Sequence, residues 1–474
     1  MRSSIAGLLV LFSVATTLHA ATDTIFCFYT SGAKYRKGNG LVAVTDLQPG
    51  MCTHMVYQYI RLTTYGTIYT TETDTAELQQ FVNLRNNSPG LKIIASIGGT
   101  LQTSSSLSTL MNTVSLRNAV VTAIVNLVNE YGLDGIDFYW MYPVLIGGIP
   151  EDRDNFVTLL GQLKEGLGAI GKLLTISVAP TKDFFWSSYN VPEISSRVDY
   201  VNVMAFDLRA YWTFKTGHSA PAYQATSEAS DFEKELNVDS ILKGWINAGL
   251  SSSKIILGVS TEGHSFKLAS SVSTGVQATA VGAGTNGEYT QKIGVLSYLE
   301  TCELVKAGGW TSVWDNVQKA HYAYKDKEWI SYESTASLEA KLNLAAAYQI
   351  KGIGLWAIEG DDVRNVCGGG SFTLLQFLFN SMDTVREEEP ATTVTSSSTV
   401  TTTTVATTTA STAASGLPEI CPSTGFVRDP DNCARYYRCT RNVAFAILSV
   451  HICTDGLYFD TRYNTCNWKA FVEC

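Results

Sequence analysis

The chain has 474 residues, a formal charge of −9 and a pI near 5.3. That acidic balance argues against nucleic acid or an anionic membrane surface as partner. Aromatics make up 11% of the residues and charged groups only 16%, which suits an uncharged ligand bound by stacking, although a large core also uses aromatics.

Arg2 precedes an apolar run from Ile5 to Val14, and small residues follow up to Ala20 and Ala21. This pattern reads as a secretory signal peptide over 1–20, with an apolar stretch too short to span a bilayer. The rest of the chain is expected to be soluble and extracellular.

From residue 21 to about 385, short β-branched runs alternate with amphipathic stretches. Candidate strands are TIFCFY (24–29), HMVYQY (54–59), KIIASI (92–97), GIDFYW (135–140), LTISVA (174–179), YVNVMA (200–205), KIILGV (254–259) and GIGLWA (352–357). Helical patterns cover Arg117–Tyr131, Asp154–Leu167 and Val238–Ala248. Eight strands with crossover helices predict a parallel (β/α)8 barrel, with a doubly wound open sheet as the alternative. No phosphate-cradling glycine fingerprint follows the first strand, which weighs against the open sheet. The gap between the seventh and eighth strands is too long for one βα unit and predicts an insertion at about 263–335. The strand ends, where such a barrel keeps its functional groups, are rich in Tyr, Trp and Met.

Beyond Glu387 the composition changes abruptly. About two-thirds of residues 391–415 are Ser or Thr, with no apolar periodicity. A segment like this cannot bury a core, so 386–417 is expected to be a disordered, O-glycosylated linker. Asn86 adds an N-glycosylation sequon, with Pro89 directly after its serine. Of ten cysteines, Cys27, Cys52, Cys302 and Cys367 are scattered, and six fall in 418–474 with the spacing C-x11-C-x5-C-x13-C-x12-C-x7-C. An even count in a secreted chain reads as disulfides, and a module this short needs such staples. Spacing by itself leaves the pairing open.

The front segment resembles the family 18 glycoside hydrolases, the chitinases and chitinase-like lectins. FCFYTSGAKYR is similar to that family's first strand, LKIIASIGG to its third, DYVNVMAFD to its sixth and KTGHSAPAY to the loop after it. The stretch NVDSILKGWINAGLSSSKIILGVSTEGHSF is similar to its seventh βα unit, and GIGLWAIEGDD to its eighth strand. The resemblance implies a (β/α)8 barrel with a small α+β insertion after strand seven. The family's fourth strand reads D-G-x-D-x-D-W-E-Y-P, and this chain has DGIDFYWMYP from Asp134 to Pro143. Asp134 and Asp137 are kept, the third aspartate is Tyr139, and the catalytic glutamate is Met141. Residues 137, 139 and 141 alternate onto one face of a strand and point into the barrel. In this family the substrate's own acetamido group attacks the anomeric carbon, outside the usual two-carboxylate scheme. The glutamate protonates the leaving oxygen and the middle aspartate steadies the cation. Met141 has no proton to give, so the resemblance implies an enzyme homologue without a catalytic residue. Asp134 and Asp137 are then expected to be structural, hydrogen-bonded to backbone or to Ser96.

Carried over residue by residue, the resemblance implies sugar contacts by Tyr29, Trp140, Tyr142, Met204, Asp207, Trp212 and Trp356, with Trp356 as the floor under the central sugar. Phe206 replaces the family's usual tyrosine, Thr100 a common tryptophan, and Glu262 a frequent aromatic. Glu262 is also the candidate for a displaced acid. The C-terminal six cysteines, with GFVRDPDNCARYYRC and GLYFDTRYNTCNW around them, resemble the peritrophin-A type chitin-binding domain. That implies a small β-rich module with pairs Cys421–Cys439, Cys433–Cys474 and Cys453–Cys466, and Tyr437 and Trp468 as sugar platforms. In the barrel the resemblance implies Cys27–Cys52 and Cys302–Cys367. The whole arrangement is similar to the chitinase-like group 18 allergens of mites. The expected function is binding of chitin or N-acetylglucosamine oligomers without cleavage, by a monomer needing no cofactor and no metal. The alternatives are a weak chitinase using Glu262, or a signalling protein like the chitinase-related growth factors.

Overall fold

Burial of the β-branched runs on both faces produces a closed parallel barrel, because each strand must cover one face with its neighbours' interior side chains and the other with helices. A computed structural model describes residues 23–180, 188–228 and 230–386, and five strands between 425 and 468. The barrel strands are β1 (Thr24–Thr30), β2 (His54–Leu62), β4 (Lys92–Gly98), β5 (Gly135–Tyr139), β6 (Leu173–Val178), β7 (Tyr200–Met204), β8 (Ile255–Ser260) and β15 (Gly352–Trp356), with β3 (Ile68–Tyr69) a short antiparallel addition to β2. Their order is β1-β15-β8-β7-β6-β5-β4-β2, and β2 pairs back onto β1 to close the ring. Every barrel pairing is parallel, so all eight C-terminal ends open on the same face.

The helices begin where local chemistry lets them. Helix α1 (Glu72–Asn83) starts on a capping box, in which Thr71 Oγ1 accepts from Asp74 N and Asp74 returns the bond to Thr71 N;. Helix α3 (Val114–Tyr131) stops at Gly132, whose φ of +63° is the left-handed cap that glycine supplies without strain;. α3 and α4 (Asp152–Gly168) start two or three residues earlier than the apolar periodicity predicts; the first turn of α4, Asp152 to Asn155, is polar and carries no periodic signal.

The insertion is a second sheet. It contains β9 (Glu262–Leu268), β10 (Ala280–Ala283), β11 (Val295–Ser297), β12 (Thr311–Asp315), β13 (Ala320–Lys325) and β14 (Glu328–Tyr332), all antiparallel, with one helix over Tyr298–Lys306. It begins two residues after β8, so its first strand leaves straight from the barrel mouth. Cys27 is bonded to Cys52 and Cys302 to Cys367.

Two hydrophobic layers result. The larger lies between strands and helices and includes Tyr29, Phe138, Trp140, Phe156 and Trp245. The smaller fills the barrel itself with Phe26, Phe28, Val56, Ile94, Tyr139, Met204, Phe206 and Ile256.

The chain divides into two compact units, 1–390 and 391–474. In the second, β16 (Gly425–Arg428), β17 (Arg435–Asn442) and β18 (Ala444–Ile452) form an antiparallel sheet, and β19 (Leu457–Asp460) with β20 (Thr465–Trp468) a hairpin. The expected signal peptide, all but the first residue of the expected linker, the side chains of Tyr437 and Trp468, and the pairing of Cys421, Cys433, Cys439, Cys453, Cys466 and Cys474 lie outside the described residues.

Candidate functional site

β5 carries Asp137 and Tyr139 on its interior face, with Met141 two residues further on, and the surroundings change along this line. Asp137 is completely buried. Its carboxylate accepts from Ser96 Oγ at 2.8 Å, Ser177 Oγ at 2.9 Å, Thr175 Oγ1 at 3.0 Å and Asn202 Nδ2 at 3.0 Å. These donors come from β4, β6 and β7, so one carboxylate ties four adjacent strands. Burial pushes its pKa up and the four donors pull the other way;. Asp134 sits at the opposite end of the strand, accepting from Ile93 N at 2.9 Å and paired with Arg85 at 3.3 Å.

One pleat closer to the mouth the polarity disappears. Tyr139 is 3% exposed and packs with the ring of Tyr59 at 6.0 Å. Burial pushes its phenol well above the ordinary tyrosine range. Tyr59 reaches this position because Gly99, at positive φ, leaves room; a Cβ there would lie 2.0 Å from the Tyr59 ring;. Met141 follows at the rim. The loop that leaves it is braced by Asp152, whose Oδ2 accepts from Ile149 N at 2.8 Å and Val144 N at 3.2 Å.

Tyr139 and Met141 line a cavity of about 290 Å³ together with Tyr142, Met204, Phe206, Asp207, Trp212 and Trp356. Trp356, at the end of β15, forms its wall. The indole stacks on Phe206 with ring centres 5.5 Å apart and donates Nε1–H to Gln58 Oε1 at 2.8 Å. Trp212 is 53% exposed and packs edge-on to His264. Asp207 has its Oδ1 2.8 Å from His264 Nε2 and is the only carboxylate among the described residues lining this cavity. Such a surface offers flat apolar faces, one hydrogen-bonding carboxylate and phenol hydroxyls, a combination that can hold a pyranose ring.

Two expected sugar contacts are elsewhere. Tyr29 is fully buried in the layer between barrel and helices, stacked on Phe81 of α1, with its hydroxyl donating to Val42 O at 3.0 Å. Trp140 is buried in the same layer against Phe156 and donates Nε1–H to Ser104 Oγ at 2.9 Å. Both sit out of phase with the interior-facing positions of their strands, so they face the helices and cannot reach a ligand in the barrel mouth. Glu262 does not line the cavity around Met141 either. Its side chain is 10% exposed and paired with Lys292 at 2.6 Å, so the alternative of a displaced acid at Glu262 finds that carboxylate engaged and outside the lining around Met141.

Several groups at the mouth carried no sequence signal. Across Trp356 and Thr100 a second cavity of about 420 Å³ opens, lined by Thr30, Tyr59, Tyr289 and Lys292 among others. Lys292 comes from the insertion, and its Nζ lies 5.4 Å from the centre of the Trp356 ring.

A closed parallel (β/α)8 barrel with an aromatic cleft at the C-terminal ends of its strands and a sheet inserted after the seventh strand defines the class of the protein by its fold;. The comparison with known families places it further: residues 24–361 match "Glycosyl hydrolases family 18", and residues 421–474 match "Chitin binding Peritrophin-A domain". The chain belongs to glycosyl hydrolase family 18 and carries a C-terminal peritrophin-A chitin-binding domain. It is 31% identical over 366 residues to "Probable chitinase 10" of Drosophila melanogaster, which covers 75% of this chain and only 16% of that protein. The group IV chitinase of Ostrinia furnacalis superposes with a TM-score of 0.74 at 31% identity, covering 76% of this chain and all of that one. Human YKL-39, described as "a pseudo-chitinase with retained chitooligosaccharide binding properties", superposes with a TM-score of 0.72 at 26% identity, over 76% of this chain and all of its own. No helix of the described residues is long and apolar enough to cross a membrane.

Proposed function

We propose that this protein is a secreted chitinase-like lectin, holding N-acetylglucosamine polymers in the barrel cleft and on the C-terminal module without cutting them. The observation that carries the reading is the lining at Tyr139 and Met141. Glycosidic cleavage needs a proton delivered to the leaving oxygen, and a thioether has none. Loss of a general acid costs about 10²–10⁴ in rate. Replacing the neighbouring aspartate by a phenol also removes the negative charge that would stabilise an oxazolinium-like cation, a contribution of comparable size.

Tyr139 does not substitute as the acid. A phenol whose pKa is driven upward by burial holds its proton too tightly to release it to an ether oxygen near neutral pH;. Asp207, the remaining carboxylate in the cavity, is engaged by His264. What survives is binding surface: Trp356, Trp212, Tyr142 and Asp207. Human YKL-39, a structural relative described as a pseudo-chitinase that keeps chitooligosaccharide binding, supports the same division. Two weak sites joined by a linker raise avidity on a polymer without any new contact. The two barrel disulfides accord with an oxidising, extracellular setting;.

The test is a pair of measurements on the full-length protein. Incubation with a fluorogenic chitotrioside is expected to release no fluorophore, and chitin beads are expected to retain the protein. Fluorophore release that Glu262→Gln abolishes would overturn the lectin reading. A protein that passes through the beads both at full length and when ended at residue 385 would overturn chitin recognition itself.

A further inference from the structure

The two sides of the Trp356 indole differ in charge. The cavity holding Met141 is lined by one carboxylate, Asp207, and no cation. The neighbouring cavity is lined by Arg36, Lys37 and Lys292 and by no carboxylate. In a chain of net charge −9 this is not a by-product of basic composition. The counter-charges stand behind the wall: Arg36 is held 3.3 Å from Glu359, which is 2% exposed, and Lys292 is held 2.6 Å from Glu262. Lys37 has no ion pair among the described residues.

The cavity is also built rather than incidental. Its far wall is Tyr289 from the insertion, packed onto the loop after β1 so closely that a Cβ on Gly40 would lie 2.2 Å from the Tyr289 Cβ. Asn39 Nδ2 donates to Glu303 Oε1 at 2.9 Å and pins that loop to the insertion helix.

We propose that this second cavity selects an anionic sugar: an N-acetylhexosamine oligosaccharide carrying a sulfate ester or a uronate, with a ring against Trp356 and the anionic oxygens among Arg36, Lys37 and Lys292. The proposal rests on the lectin reading for its neutral rings and adds the charge. Fixed cations with partly desolvated neighbours attract a ligand anion more strongly than they would in open water, and salt screens that attraction.

The experiment is calorimetric titration of the full-length protein with three tetrasaccharides: chitotetraose, its 6-O-sulfated form, and a hyaluronan tetrasaccharide. At about 50 mM salt, at least one anionic ligand is expected to bind about tenfold more tightly than chitotetraose, with the advantage shrinking toward about 0.5 M salt. The sulfated and uronate arms show which anion is read. Lys37→Glu, at an exposed position, is expected to remove the advantage, and Lys292→Gln to reduce it. Equal affinity for all three ligands, or an advantage that survives Lys37→Glu, overturns the anion proposal and leaves the lectin reading standing. Chitotetraose binding that is absent, or is indifferent to Trp356→Ala, overturns the barrel part of the lectin reading instead.

Discussion

Asp137 on β5 and Met141 just beyond its end lie four residues apart and are surrounded by contrasting chemistry. Around Asp137 four hydrogen-bond donors aim at one buried carboxylate. Around Met141 the cavity wall is mostly thioether, phenyl, indole and phenol, with the Asp207 carboxylate at one side. The difference follows from what each layer has to do. A carboxylate in the barrel interior cannot be removed without stranding four donors from three other strands, and an unsatisfied buried donor is expensive. A side chain at the open rim meets water and ligand space, so substitution there costs little stability. Residues at the mouth can therefore change while the polar frame in the barrel interior stays in place.

That contrast can be broken from its interior side first. Asp137→Ala is expected to lower unfolding free energy by about 3–4 kcal/mol, and Asp137→Asn by less, because an amide keeps the volume and part of the donor set. Urea unfolding followed by tryptophan fluorescence reads both. An Asp137→Ala protein as stable as wild type would mean that the layer is ornamental.

His54, on β2 at the barrel base, sharpens the same point through pH. It stacks on Phe26 at 4.3 Å, and burial lowers its pKa to about 4 from an ordinary 6.5. The folded protein keeps the imidazole neutral while the unfolded chain takes up a proton below pH 6.5. This contribution to stability is thus complete above about 6.5 and is lost as pH falls toward 4, by about 3 kcal/mol over the window. The His54→Gln variant is expected to lack that slope. Parallel stability curves for the two proteins between pH 4 and 7 would rule out the buried neutral imidazole.

Nearer the mouth, Tyr139→Asp combined with Met141→Glu is expected to raise turnover of a fluorogenic chitotrioside by at least about 10²-fold and to lower the unfolding midpoint, because position 139 is buried in the barrel interior;. Persistent silence from a folded double variant that still binds the sugar would show that more than proton delivery has been lost. Smallest in energy is Trp356→Ala, expected to weaken chito-oligosaccharide binding by about tenfold, close to 1.4 kcal/mol. Titration with chitotetraose measures it.

Much of the frame was legible along the chain. β-branched runs located all eight barrel strands to within a few residues, since a parallel strand buried on both faces has little choice of residue type. The long interval before β15 announced an insertion. The alternation that put Asp137, Tyr139 and Met141 on one face was also legible, and the same alternation sends Trp140 to the helices. Carrying family positions over by resemblance, without regard to which strand face each side chain takes, is what drew Tyr29 and Trp140 into the ligand set. Gln58 under Trp356, Lys292 over it and Tyr289 against Gly40 were not legible, because those partners are roughly 60 to 300 residues apart.

The amino-acid order alone determined where strands and helices form, which strand faces point inward, and that a phenol and a thioether follow Asp137 at positions 139 and 141. These depend on period and residue type over a few neighbours. Only the folded chain decided which side chains share a cavity, that Glu262 is engaged by Lys292, and that cations gather on one side of the indole and the lone carboxylate on the other. Such facts arise when the insertion folds back over the barrel mouth, and no local pattern encodes a contact between segments that meet only after the ring has closed.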